Sequence, residues 1–203
     1  MHNRKSTKTT SWISFATGRV LSYTKSMNAE GIEYSFLKRT GNDEPFEEVI
    51  DYLLKVPCVN RPDILDYVFR LYRYSEHLFI TDMFPMMYVD DPKCFKRFTS
   101  HDGYSVNMRK LSVCCLRIFV NDFLHDDPEH VMVISGSYAP GEEDQGSSRK
   151  LRLYWYFFAP LLDELRLEAI LMPTWNAFLL ASTASVTDKA TLENTYIKFK
   201  TRP

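Results

Sequence analysis

The sequence predicts a mainly α-helical protein, a single compact bundle with short strands near both termini. Three observations predict it. Apolar residues recur at helical spacing from Phe46 to Leu54, a second stripe runs from Ile64 to Tyr72, and residues 105–124 are apolar on nearly every face, as a central bundle helix is. The chain has 203 residues, enough for one domain with a substantial core, and its 14% aromatic content argues against wholesale disorder.

Taken in order, residues 1–43 form a basic leader and arm. Trp12 to Phe15 and Val20 to Tyr23, separated by Thr17-Gly18, have the pattern of a weak hairpin. Ile32, Tyr34 and Phe36 alternate with Glu33 and Ser35, a short strand before the break at Thr40-Gly41-Asn42-Asp43. A helical globular domain is expected over 44–182. Its first helix starts at Pro45, where a missing N–H costs nothing, and ends at Pro57. Phe46, Val49, Ile50, Leu53 and Leu54 supply its apolar face, and Glu47 and Glu48 suit the positive end of its dipole. A second helix follows Pro62, with Ile64, Tyr67, Val68, Leu71 and Tyr72 on one stripe. Residues 78–90 read as a buried helix bent by Pro85. Beyond 105–124, Asp126-Asp127-Pro128-Glu129 reads as a stop and a new cap.

Two readings stay open at 131–158. Val131 to Ile134 and Leu151 to Tyr156 have strand-type composition, so a β-hairpin and hence an α+β fold is the alternative to two buried helices. Helices are expected again around Glu164 to Ile170 and after Pro173. Residues 183–203 form a C-terminal arm, with a short alternating strand from Tyr196 to Lys200.

Charge is unevenly spread. Arg4, Lys5, Lys8, Arg19 and Lys25 precede the first acidic residue, Glu30, so the leader is +5 and residues 30–203 carry −6 of the chain's net −1. Such an arm reads as a tail, a mitochondrial targeting segment, or a contact for anionic partners. With no global positive field, nucleic acid is a less favoured partner. No apolar run is long enough to span a bilayer as a helix. Cys58, Cys94, Cys114 and Cys115 lack metal-type spacing and are too few for a disulfide scaffold, which favours a reducing interior, cytoplasm or nucleus before mitochondrion.

Signs of chemistry are sparse. His125, Asp126, Asp127, Glu129 and His130 are close together, but the same residues make an ordinary charged helix cap. No metal or other cofactor is expected. No nucleophile elbow or phosphate-binding glycine loop occurs. Lys93, Lys96 and Arg97 interleave with Phe95, Phe98 and Tyr104, a basic rim able to meet phosphorylated or single-stranded ligands. These features describe a non-catalytic binding or regulatory module rather than an enzyme.

The stretch Pro62-Asp63-Ile64-Leu65-Asp66-Tyr67-Val68-Phe69-Arg70-Leu71-Tyr72-Arg73-Tyr74-Ser75 resembles the start of the box in cyclins of the phosphate-regulation type. Met87-Tyr88-Val89-Asp90, the helix from Asn107, Val120-Asn121-Asp122 and Ser135-Gly136-Ser137 fall at the spacing of later landmarks of that family. Asp91 and Cys114-Cys115-Leu116-Arg117 depart from it, and an expected Glu is lost near Tyr154. The resemblance implies a five-helix bundle that binds and activates a protein kinase, with Arg117 donating to the partner, Asp122 at the end of the central helix, and Lys93, Lys96 and Arg97 as the rim. The competing expectation is a structural or assembly protein, viral matrix-like or a subunit of an organelle complex, that self-associates and uses its basic N-terminal arm. If Arg117 is a partner contact, Arg117→Ala weakens kinase capture and leaves thermal unfolding unchanged; an equal loss of stability makes Arg117 structural.

Overall fold

A computed structural model describes residues 9–12, 21–24, 26–27, 31–91, 102–136 and 147–202. Two short strands, β1 (Thr9–Trp12) and β2 (Leu21–Thr24), pair antiparallel with each other. The two-residue β3 (Ser26–Met27) begins a mixed sheet that continues through β4 (Glu33–Asp43), β5 (Phe46–Pro57), β6 (Ile64–Arg73) and β7 (Leu78–Pro85). Then come α1 (Met108–Phe119), a π-helical turn (Val120–Leu124), β8 (Val131–Ser135), α2 (Arg149–Phe158), β9 (Leu167–Met172), β10 (Ala177–Ser182) and α3 (Lys189–Lys200). The strand order is β3-β4-β5-β6-β7-β8-β10-β9, antiparallel except where β7 meets β8.

This overturns the mainly α bundle, cyclin-like five-helix form included: the fold is α+β, a mixed sheet flanked, among the described residues, by three α-helices. The helical reading of 46–56 failed for a physical reason. In β5 the buried Ile50, Tyr52, Leu54 and Val56 alternate onto one face, while Val49 and Leu53 make the other face apolar too. A strand apolar on both sides reproduces helical spacing over eight residues. Pro45 sits with Glu44 in the two-residue turn that closes the β4–β5 hairpin, where Asp43 pairs with Phe46. The same misreading affected β6, whose Leu65, Tyr67, Phe69 and Leu71 line one face, and β7, which ends at Pro85 instead of bending there.

The expected central helix is present as α1 with its π turn, capped by Asn107, whose side chain accepts from the Lys110 N–H. The region 131–158 is neither a hairpin nor two helices. It is strand β8, then helix α2, capped by the Ser148 hydroxyl. The helices expected around 164–170 and after Pro173 are the strands β9 and β10. Conversely, the strand expected at 196–200 is the end of α3, whose Asp188 cap and buried Leu192 and Tyr196 are at helical spacing.

Two cores flank the sheet. On one face α1 and α2 bury Phe69, Phe79, Leu116, Phe119, Phe158 and Phe178. On the other, α3 covers Leu78, Val131, Val133, Ile170 and Leu179. Phe199 sits 5.9 Å from Phe46 and 5.0 Å from Tyr74, so the C-terminal helix packs on the same sheet that β4 joins.

Polar chemistry crosses the middle of this sheet. Register sets Lys38 opposite Asp51, Asp51 opposite Arg70, and Arg70 opposite Asp82. Arg70 holds Asp51 with two bonds, Nε to Oδ1 at 2.7 Å and Nη2 to Oδ2 at 2.8 Å, and Lys38 Nζ lies 3.6 Å away. Asp51 is 1% exposed, so an unpaired carboxylate there would be costly. Arg70→Met is expected to cost ~3–5 kcal/mol, and adding Asp51→Leu to recover most of it, as read by chemical denaturation of both variants.

Candidate functional site

Among the described residues, three regions hold chemistry: a small, partly open cavity, one edge of the sheet, and a histidine cluster where β7 and β8 begin. The cavity lies between the sheet and helices α1 and α2 and measures about 40 Å³. Thr81, Asp82, Met83, Ser112, Cys115, Lys150 and Tyr154 are among its lining residues. That volume holds a few waters, not a substrate. The Ser112 hydroxyl is buried without a hydrogen-bond partner among the described residues, which suits such a water. Burial pushes the Asp82 carboxyl up, against the pull of Lys150, Arg70 and Lys200. Burial pushes the Lys150 ammonium down, against Asp82. In both groups burial disfavours the charged form. Cys115 is driven well above the usual thiol range by burial, with its Sγ 3.7 Å from Met83 Sδ, so it is an inert core thiol.

The sheet edge is strand β9. All six of its residues pair with β10, from Leu167 opposite Ser182 to Met172 opposite Ala177. On the outer side, among the described residues, only the Leu167 N–H finds a backbone partner, the Leu162 carbonyl. Leu171 is 57% exposed there. The single charge on β9, Glu168, pairs with Lys189 Nζ at 2.9 Å. No proline or bulge interrupts the strand.

The histidine cluster rearranges the grouping read from sequence. Asp127 and His130 turn towards His77, which immediately precedes β7. Glu129 turns away: its carboxylate accepts from the Val186 and Thr187 N–H groups and from the Ser185 and Thr187 hydroxyls. Those bonds pull its pKa down to about 2.

Arg117 lies on α1 and donates from Nη2 to Glu164 Oε1 at 2.8 Å. Asp122, in the π turn, accepts from the buried Tyr52 hydroxyl. Although Asp122 as a residue is exposed, desolvation raises its carboxyl, while the bond from the Tyr52 hydroxyl pulls it the other way. Gly136 packs under Ser148 and Asn176, so closely that any side chain would collide with both. Lys93, Lys96, Arg97 and the arm residues Arg4, Lys5, Lys8, Arg19 and Lys25 lie outside the described residues. No helix among the described residues is long and apolar enough to cross a membrane. The edge strand and the meeting of His77 with His130 were invisible in sequence, because each depends on which strands become neighbours.

No family model, curated protein or solved structure matches this chain.

The cavity carries its own prediction. A carboxyl whose folded pKa is raised stabilises the fold fully below its unfolded value and loses that contribution as pH rises through the folded one. Asp82→Asn should therefore gain stability relative to the native chain as pH climbs from 4 to 7, measured as the difference in denaturation midpoints at each pH. A difference that is flat or shrinks with pH contradicts the assignment.

Proposed function

We propose that this chain is a non-catalytic assembly module that associates with a second copy of itself by pairing β9 strands antiparallel across a two-fold axis. The observation that carries this reading is β9, six residues paired along their full length with β10 on one side and, among the described residues, with no strand on the other. Edge strands offer a ready row of backbone donors and acceptors, and proteins that do not use them usually blunt them. The strand also suits itself. Centred on Ile170, the antiparallel register sets Glu168 opposite Met172 and Ala169 opposite Leu171, so no like charges meet. Leu171 leaves water in the process. Elsewhere polar groups are spent on contacts within the chain, Arg117 with Glu164 and Glu129 with the 185–187 turn, which favours a scaffold over a reaction centre.

A kinase partner rests on the cyclin resemblance alone, and this fold is not the five-helix bundle that resemblance implies. Strand addition needs no such bundle. By sedimentation velocity the native chain is expected to dimerise with rising concentration, and Leu171→Lys to remain monomeric with unchanged circular dichroism. A native chain that stays monomeric, or a variant that still dimerises, refutes the proposal.

A further inference from the structure

The start of β7 and the start of β8 bring together three side chains that the assembly reading does not use. Leu78 pairs with Val131 in the parallel register, so the residues just before them, His77 and His130, are neighbours. The Val131 N–H donates to the His77 carbonyl at 2.8 Å and locks this arrangement. The two imidazole rings stand 5.9 Å apart. Asp127 reaches between them: its Oδ2 lies 3.5 Å from His77 Nδ1 and 3.7 Å from His130 Nε2. The three ligand atoms all fall within 4.8 Å of one another.

Each group is set up to face inward. His130 Nδ1 lies 3.2 Å from the Phe123 carbonyl. Donation there leaves Nε2 with its lone pair towards Asp127, the outer-sphere arrangement usual for a metal-bound imidazole. His77 Nδ1 is buried and makes no hydrogen bond among the described residues, although Asp127 is near. Its Nε2 is turned towards Glu76, 3.9 Å away. Among the described residues, Asp127 uses Oδ1 to accept the Glu129 N–H at 2.9 Å, and Oδ2 is the oxygen nearest the two imidazoles. Phe79 packs edge-on against the His130 ring at 5.0 Å and gives the site an apolar wall.

We propose that His77, Asp127 and His130 bind one first-row divalent cation, with zinc the best fit. Two imidazole nitrogens and a carboxylate are zinc's ordinary donors, and at ~2.0–2.2 Å from the ion such atoms sit about 3.3 Å apart in a tetrahedron. The separations here need to shrink by only a few tenths of an ångström about the carboxylate. His77 and Asp127 are each about one-third exposed, which leaves the fourth position to solvent. The ion would staple β7 to β8 at the junction where the sheet changes from antiparallel to parallel.

The test is zinc titration of the full chain after chelation, by calorimetry and by thermal unfolding, with cobalt as a spectroscopic probe. One equivalent of zinc should bind and raise the melting temperature, and cobalt should give the visible absorption of a tetrahedral site. Asp127→Asn keeps the oxygen that caps Glu129, so it should fold while losing affinity at least about tenfold. His77→Gln should behave alike, and its partial exposure makes it tolerable to the fold. Absence of stoichiometric zinc binding, or equal affinity in both variants, overturns the proposal.

Discussion

The pairing of β7 with β8 is the constraint from which the rest of this molecule follows. Only three residue pairs make it, Leu78 with Val131 through Ile80 with Val133. Parallel neighbours cannot be joined by a tight turn, so the chain must cross over between them, and α1 lies on that path. The crossover explains why α1 is apolar on nearly every side: it is wedged between sheet and α2, with Cys114, Leu116 and Phe119 fully buried. The same pairing joins an antiparallel run, β3 to β7, to a second antiparallel group, β8-β10-β9, in one sheet. It leaves β9 at the far edge and sets His77 beside His130. The position of β9 at the edge and the meeting of His77, Asp127 and His130 both follow from one short parallel contact.

Electrostatics complements this topology. A carboxylate at Asp51 would be intolerable in the middle of a sheet without Arg70, and the bidentate geometry supplies two charge-assisted bonds. Sliding β5 against β6 by one residue would turn Asp51 and Arg70 to opposite faces and leave the carboxylate buried without its guanidinium. The pair thus penalises wrong register in the part of the sheet where both faces are apolar and hydrophobic pattern alone discriminates poorly.

That weakness of pattern also explains what could and could not be read from the chain. The 105–124 helix was legible because its apolar run is too long for a strand. Strands β5 and β6 were not, because residues such as Val49 and Leu53 give them a second apolar face, and the result imitates a helix period. The β-branched residues Val49, Ile50 and Val56 and the alternation of Ile50, Tyr52, Leu54 and Val56 were the available counter-signals. In α3 the error ran the other way, since Tyr196 to Lys200 alternates locally while Leu192, Tyr196 and Phe199 set the true period. For the sites, Asp127 and His130 were recognisable as metal-type residues. Their partner His77 is 50 residues earlier and reaches them only through strand pairing, which local pattern does not encode.

Under the proposed self-association, the chain presents β9 to a second copy of itself. The most direct test is backbone amide exchange across residues 168–172 at low and high protein concentration. Self-pairing through β9 predicts that protection there rises with concentration while β5 and β6, in the middle of the sheet, stay equally protected. Exchange at 168–172 that is fast and independent of concentration would contradict the account.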